Sequence, residues 1–222
     1  MKDNLSALLR VRNLANGDAA LYFYGEIVSD WWEAWSSADK YPEAIRRMLD
    51  GLNGEHLHIY INSPGGSVFA GMAIYNMLSR YKGRKTVHVD GIAASIASVI
   101  AMAGDVIEMP ENTMLMIHRA WATASGNTED LMRYAELLSQ VDDAMMSVYS
   151  ARFNDADAVT RVAELMVRES YLSAAETAEL FRGVNVKPPL EMAARVKNAG
   201  AIYSASLEYE RLKLLEMKTI GG

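Results

Sequence analysis

The stretch YINSPGGSVFAGMAIYNML, residues 60–78, decides the fold of this chain. Its first residues are β-branched and aromatic, which predicts a strand, and the rest has the apolar spacing of an amphipathic helix. Gly65 and Gly66 lie at the junction. Paired glycines there leave backbone N–H groups accessible at a helix N-terminus, a place that favours negative charge. A tight turn that needs positive φ would explain the same two glycines.

Strands and helices alternate on both sides of this stretch. Runs of β-forming residues predict strands at 20–27, 86–91 and 113–118, and helical patterns occur at 42–50 and 94–104. The alternation predicts an α/β domain with a largely parallel sheet. Ligands bind such sheets outside the carboxyl ends of the strands. We therefore expect the glycine loop and the ends of the strands at 86–91 and 113–118 to converge.

The length and composition favour one domain followed by a tail. The 222 residues, half of them hydrophobic, suffice for one sizeable core. A proline break, VKPPLEM, precedes an amphipathic and charge-rich segment. We therefore predict a body of residues 1–185 and a C-terminal helical tail of residues 186–222.

The composition also excludes several classes of function. The net charge of −6 argues against nucleic acid as a partner, because phosphate binding needs a basic face. The absence of cysteine excludes disulfides, thiolate zinc sites and a cysteine nucleophile. The four histidines lack the spacing of a metal motif, so we expect no metal site and interpret His56, His58 and His88 as surface or structural residues.

No segment of the sequence predicts contact with a membrane. The longest apolar run, GIAASIASVIAMAG, has about 14 residues, whereas a bilayer span takes roughly 20. The N-terminal residues lack the continuous apolar region of a secretory signal. We therefore expect a cytoplasmic protein.

A long apolar stripe follows residue 127. Its residues recur at alternating steps of three and four, which predicts a helix of about six turns. They are Leu131, Tyr134, Leu138, Val141, Met145 and Val148. The pattern fits a helix that packs on its own domain, and it fits an oligomer contact equally well.

Three residues are candidates for nucleophilic catalysis. Ser95 lies at a predicted strand-to-helix junction, where free amides favour developing negative charge. His118 ends the strand TMLMIH, a suitable place for a general base. Glu169 would orient the imidazole as the third member of a triad. Taken alone, each has an ordinary explanation: a small packing or capping residue, a hydrogen-bonded histidine and an exposed carboxylate.

The glycine loop acquires a role if these three residues act together. Attack of a serine on a peptide carbonyl creates an oxyanion, which needs two hydrogen-bond donors. The N–H of Gly66 and the N–H of Ile96, next to the candidate nucleophile, are the natural pair.

Four motifs in the same order resemble a known family, the proteolytic subunit of the Clp protease, a serine peptidase. YINSPGGSVFAGMAIYNM resembles its oxyanion loop, GIAASIAS its nucleophile segment, MLMIH its histidine segment and RESYLSAAETAEL its acid segment. The resemblance implies that Ser95 is the nucleophile, His118 the base, Glu169 the acid and Gly66 an oxyanion donor. It implies a Clp-protease/crotonase-like fold of stacked, repeated β-β-α units with a long protruding helix.

The resemblance also implies how the protein acts and with what. The activity would be hydrolysis of a protein or peptide substrate through an acyl-enzyme, without a cofactor, in a homo-oligomer built as a ring or stacked rings. Gly65 and Trp121 would border the substrate. The fit is closer to the phage and prophage members that act in head maturation, which implies a capsid or scaffold substrate in a bacterial host cell. It does not imply an ATP-driven unfoldase partner.

The sequence departs from the family pattern in two places. Cellular Clp subunits carry Asp where this chain has Glu169, and FRGVNVKPPLEM replaces the usual continuation after the acid segment. The change at Glu169 supports one alternative function, a non-catalytic, ring-forming assembly protein. The relation of the Clp fold to the crotonase fold gives a second, a crotonase-type acyl-CoA enzyme that uses the paired amides alone. A Ser-Lys peptidase is less attractive, because no lysine occurs between Lys85 and Lys187.

Overall fold

A computed structural model describes residues 17–29, 42–52, 54 and 56–189 of the chain. The chain divides into two compact units, Met1–Pro189 and Leu190–Gly222. The second unit, into which most of the predicted tail falls, lies outside the described residues.

The described residues form seven strands and six helices. In chain order these are β1 (Ala19–Tyr24), α1 (Pro42–Asp50), β2 (Leu57–Ser63), α2 (Val68–Arg80), β3 (Lys85–Ala94), α3 (Ile96–Ala101), β4 (Val106–Pro110), β5 (Met114–Ile117), α4 (Thr128–Ser150), α5 (Ala158–Val167), β6 (Ser170–Ser173), α6 (Ala174–Leu180) and β7 (Val184–Lys187). None of the helices within these ranges is long and apolar enough to cross a membrane.

The strands form one sheet with the order β1-β2-β3-β4-β7, all parallel. The strand β3 is long enough to serve two neighbours: its first half pairs with β4 and its second half with β5. The last strand of this branch, β6, pairs antiparallel with β5. The predicted α/β class with a largely parallel sheet is confirmed. The strand β7 crosses the predicted boundary at residue 185, so the sheet extends to Lys187.

The core lies between one face of the sheet and the helices α2 and α3. Alternate residues of β2, such as Ile59 and Ile61, are buried, while those between them are only half-buried or exposed. All six residues of α3 are buried, which agrees with a sequence that contains no charged residue and a single polar one, Ser98. Helix α2 approaches α3 closely, because a Cβ on Gly71 would lie 2.2 Å from the side chain of Ile96. A larger residue at 71 would push the two helices apart.

Helix α4 has two halves with different surroundings. Asn127 and Asp130 form a capping box that starts the helix. Residues 128–140 are almost entirely exposed, whereas Val141, Met145 and Val148 pack in the core. The apolar stripe predicted from the sequence therefore covers the domain only in its second half, and the first half protrudes.

Candidate active site

Ser95 lies where β3 ends and α3 begins, in a backbone conformation that L-residues rarely adopt. Its φ is 54° and its ψ is −128°. Such a conformation costs on the order of 1–3 kcal/mol and persists only where the surrounding structure imposes it. Part of that structure is a hydrogen bond of 2.9 Å from the Ser95 N–H to the carbonyl of Met116 in β5. The turn holds the hydroxyl at the carboxyl edge of the sheet.

His118 directly follows β5, and its Nε2 lies 2.7 Å from Oγ of Ser95. The two side chains meet because β3 and β5 are parallel neighbours, with Ala94 paired to Met116. Residues 23 positions apart in sequence thus leave the sheet at the same edge. With Nε2 accepting the serine proton, a neutral imidazole carries its own proton on Nδ1.

Two backbone N–H groups beside Ser95 have no acceptor among the described residues. They belong to Gly66, which is exposed, and to Ile96, the first residue of α3. The first N–H groups of a helix have no partner within the helix, and they favour negative charge. The positive φ of 138° at Gly66 supports the tight turn as well. The tight turn considered for this loop is therefore present, and its role in holding a negative charge stays a prediction.

Gly65 lies directly against Ser95. Its φ is 99°, and an added Cβ would lie 2.6 Å from Cβ of Ser95 and 2.8 Å from the carbonyl oxygen of Ala94. Its carbonyl accepts a 2.8 Å hydrogen bond from the N–H of Ile27. Gly65 is buried, so close packing against the serine accounts for a glycine at this position.

Glu169, the predicted acid, lies close to His118 in the strand pairing. Ile117 of β5 pairs with Ser170 of β6, so the antiparallel register would place His118 opposite Glu169 in the next step. Glu169 has a left-handed φ of 51°, and its side chain is exposed. The hydrogen bonds within the described ranges include none between its carboxylate and the imidazole. Its place as the acid stays a prediction.

Trp121 lies on the surface three residues after His118, with 76% of its area exposed. It belongs to residues 119–126, which form no helix or strand. Its predicted role in bordering the substrate also stays a prediction.

Asp142 on α4 holds the start of this segment, a role that the sequence did not reveal. Its carboxylate accepts 2.6 Å and 2.7 Å hydrogen bonds from Nε of Arg119 and the N–H of Ala120. The N–H of Arg119 also donates to the carbonyl of Met166. The backbone after His118 is thereby fixed from two sides. The contact between Ala120 and Asp142 spans 22 residues, and no local pattern in the sequence signals it.

A buried pair supports the other side of the nucleophile turn. Oγ of Ser98 donates to the carbonyl of Ser95 at 2.5 Å and contacts the hydroxyl of Tyr149 at 2.7 Å. Burial raises the pKa of Tyr149, so the phenol keeps its proton at any pH of interest. Ser98 and Tyr149 thus hold the start of α3 in place, and no pattern in the sequence pointed to either of them.

A model of the Clp protease family matches residues 43–180, a range that includes the glycine loop, Ser95, His118 and Glu169. The chain belongs to the Clp protease family. The match confirms the family predicted from the four motifs.

Individual relatives within the family cover only part of the chain. This chain is 38% identical to the ATP-dependent Clp protease proteolytic subunit of Deinococcus radiodurans over 106 residues. The aligned stretch makes up 46% of this chain and 52% of that protein. It is 33% identical to the subunit of the same description from Chlorella vulgaris over 135 residues. That aligned stretch makes up 58% of this chain and 66% of the Chlorella protein. The chain thus spans about half to two thirds of the length of these relatives.

A second group of polar side chains lies near the starts of the strands. We expected no metal site from the sequence, yet Asp18, His56 and His58 each place one ligand atom within 4.8 Å of the others. The sequence did not reveal this cluster, because strand pairing, and not sequence spacing, brings Asp18 close to the histidines. Asp18 immediately precedes β1, in which Ala19 pairs with Leu57 between the two histidines.

Proposed function

We propose that this chain is a serine endopeptidase in which Ser95 is the nucleophile and His118 the general base. The observation that carries the proposal is the 2.7 Å contact between Oγ of Ser95 and Nε2 of His118 at a helix N-terminus. Neither residue is close to the other in sequence, and the strained turn at Ser95 has no packing purpose that a glycine would not serve better. Membership in a protease family supports the same interpretation.

The proposed reaction is acyl transfer to water. His118 removes the hydroxyl proton as Oγ of Ser95 attacks the peptide carbonyl, which yields a tetrahedral oxyanion. The imidazolium then gives its proton to the leaving amine, and the acyl-enzyme forms. A water molecule, deprotonated by the same imidazole, releases the second product. No cofactor takes part in these steps.

The N–H groups of Gly66 and Ile96 are the proposed oxyanion donors. Both lie beside Ser95 and lack acceptors within the described part of the chain. Loss of one such donor typically lowers kcat about 10²–10³-fold. Glu169 is the proposed acid that orients His118, supported by its register position one step beyond the Ile117–Ser170 pair.

Hydrolysis of fluorogenic peptides by three proteins tests the proposal. We expect Ser95→Ala to lose activity, while Ser150→Ala retains it, because Ser150 is exposed at the end of α4 and its hydroxyl bonds only within its own helix. Equal activity of Ser95→Ala and the wild type would reject the peptidase. An inactive wild type would favour the non-catalytic assembly protein, and turnover of acyl-CoA esters instead would favour the crotonase-type enzyme.

We also propose that the protein works as a homo-oligomer, with α4 in the contact. Leu131, Met132, Tyr134 and Leu137 on its protruding half are all more than 40% exposed. A groove of ≈ 450 Å³ between α2 and the second half of α4, lined by Val68, Phe69, Met72 and Val141 among others, continues this apolar surface. Contiguous apolar surface of this kind is typical of protein contacts.

The mass in solution tests the oligomer. We expect an assembly of several chains for the wild type and a smaller species for Leu137→Glu. Gln140→Glu adds the same charge three residues further along the exposed part of α4 and should leave the mass unchanged. A monomeric wild type would contradict the proposal.

The proposed substrate is a capsid or scaffold protein of a phage or prophage, cleaved in the cytoplasm of the host without an unfoldase. The support is the likeness of segments such as GDAALYFYGEI to the head maturation branch. We expect the purified chain to cleave such an assembly protein without ATP. A strict requirement for an added ATPase would instead favour the mode named in the description of the ATP-dependent relatives.

A further inference from the structure

Imidazoles and carboxylates form a continuous row across the starts of strands β1 to β4. Asp18 precedes β1, His56 and His58 lie at the start of β2, His88 lies in β3 and Glu108 in β4. The side chains of His58 and Asp18 are 19% and 23% exposed. The proposed peptidase chemistry uses none of these residues.

Close contacts along this row favour one placement of the imidazole protons. Oε2 of Glu108 lies 3.2 Å from Nδ1 of His88, where the carboxylate attracts a proton on Nδ1. Nδ1 of His58 lies 2.9 Å from Nε2 of His88, so one of these two nitrogens donates to the other. If His88 keeps its proton on Nδ1, Nδ1 of His58 donates and Nε2 of a neutral His58 can bind a ligand.

Nε2 of His58 lies 3.5 Å from Oδ2 of Asp18, so in that arrangement two potential metal ligands face each other. His56 supplies a third ligand atom. Its Nε2 lies 2.9 Å from the buried hydroxyl of Thr86, and Nδ1 can bind a ligand when Nε2 donates to that hydroxyl. Two imidazole nitrogens and a carboxylate oxygen that converge in this way can bind a cation.

We propose that Asp18, His56 and His58 bind a divalent transition-metal ion of the zinc class. Two imidazoles and one carboxylate are a ligand set that Zn²⁺ uses, with a fourth position open. Metal–ligand bonds of about 2.0–2.1 Å place neighbouring tetrahedral ligands about 3.3 Å apart. The 3.5 Å between Nε2 of His58 and Oδ2 of Asp18 is close to this spacing. Because all three ligand atoms lie within 4.8 Å of one another, small side-chain rotations would bring the set to it.

The neighbouring residues supply the support that metal-bound histidines normally have. A ligating imidazole donates its other N–H to an acceptor, often part of a longer chain that ends in a carboxylate. Here Nδ1 of His58 lies 2.9 Å from Nε2 of His88, and Nδ1 of His88 lies 3.2 Å from the carboxylate of Glu108. Lys187 lies 3.2 Å from Glu108 and balances its charge. A bound ion would tie β1, at the end of the sheet order, to β2. Binding of the ion at this site does not depend on whether the chain is a peptidase.

Calorimetric titration of the untagged full chain with ZnCl₂, after removal of metals by EDTA, tests the site. We expect one Zn²⁺ per chain and a melting temperature that rises by about 5 °C or more at a hundredfold excess over the dissociation constant. His58→Ala should weaken binding about 100-fold or more, and the nearly isosteric Asp18→Asn should weaken it at least about tenfold. Circular dichroism establishes that both variants are folded.

His118→Ala is the matched control, because it removes the fourth histidine of a chain that has no cysteine. It should bind Zn²⁺ with the stoichiometry and affinity of the wild type. The absence of binding heat in the wild type would overturn the inference. A proton on Nε2 of His58 would then account for the contact between this nitrogen and Oδ2 of Asp18. Equal binding by His58→Ala and the wild type would also overturn the inference, and so would loss of binding in His118→Ala alone.

Discussion

The two ends of the parallel strands carry groups of opposite character. At the carboxyl ends, the N–H donors of Gly66 and Ile96 lie beside Ser95 and lack acceptors within the described residues. At the starts, Nε2 of His58 lies 3.5 Å from Oδ2 of Asp18, and both atoms belong to the proposed metal site. The first arrangement suits a transient negative charge and the second a positive ion. One sheet therefore offers opposite electrostatic preferences at its two ends. Among the described residues, the two non-glycine residues with positive φ, Ser95 and Glu169, lie at the end that carries Ser95 and His118.

Replacing Ser95 should produce the largest effect and should separate reactivity from strain. We expect both Ser95→Ala and Ser95→Gly to lower kcat/KM at least about 10⁴-fold, because neither residue can attack the carbonyl. The glycine variant should be more stable than the alanine variant by about 1 kcal/mol, since glycine adopts a φ of 54° without steric cost. Peptide hydrolysis and urea unfolding measure the two effects. Equal stability of the two variants would mean that the turn is unstrained.

Removing the charge of Glu169 should produce the next largest effect. If Glu169 orients His118, Glu169→Gln lowers kcat about 10²-fold or more and leaves KM nearly unchanged, because the acid acts on the imidazole and not on the substrate. Glu164→Gln, an exposed change on the preceding helix, is the control. A loss of less than about tenfold would remove Glu169 from the triad and direct attention to another acid near His118.

A change on the half-buried face of the sheet should affect stability without affecting rate. The ring of Tyr60 stacks on Tyr22 and on His88, with ring centroids 4.7 Å and 4.6 Å away. Tyr60→Ala should lower the free energy of unfolding by about 1–2 kcal/mol. Its kcat/KM, measured well below the unfolding temperature, should equal that of the wild type. A large loss of kcat/KM would mean that the face of the sheet around Tyr60 influences the proposed active site at the carboxyl ends of the strands.

The smallest effect is expected in the capping box that starts α6, directly behind β6. The backbone N–H and the hydroxyl of Ser173 donate to the carboxylate of Glu176, and the hydroxyl bond is the main reason that the pKa of Glu176 is lowered. A lowered pKa contributes stability above the unfolded value of about 4.3, and this stability is lost as the pH falls. Because the group is exposed, Glu176→Gln should cost at most about 0.5 kcal/mol at pH 7. Unfolding at pH 7 and pH 3 measures whether this difference disappears in acid.

The sequence predicted the features that depend on neighbouring residues. Helix 42–50 is found as predicted, and the alternation of strands and helices sufficed for the parallel sheet. The general rule that parallel strands present their carboxyl ends together also predicted that Ser95 and His118 share one edge of the sheet. The family motifs pointed to the same residues.

The features that the sequence did not predict depend on contacts between distant residues. In the sequence, Gly71 looks like an ordinary glycine in a helix, and only the structure shows that it packs against Ile96. Asp142 looks like any other carboxylate on a helix, and only the structure shows that it binds the N–H of Ala120. Asp18 reaches the histidines only through the register of β1 on β2. Periodicity did predict α4, but it did not reveal that only the second half of the stripe is covered.

Labelling with a fluorophosphonate probe, followed by mapping of the modified residue by mass spectrometry, tests whether Ser95 and His118 react as a pair. We predict a single phosphonylated residue, Ser95, in the wild type. It predicts little or no labelling of His118→Ala, because the hydroxyl then lacks the base 2.7 Å away. Labelling of another serine, or labelling of Ser95 that does not depend on His118, would contradict the claim that these two side chains form one reactive unit.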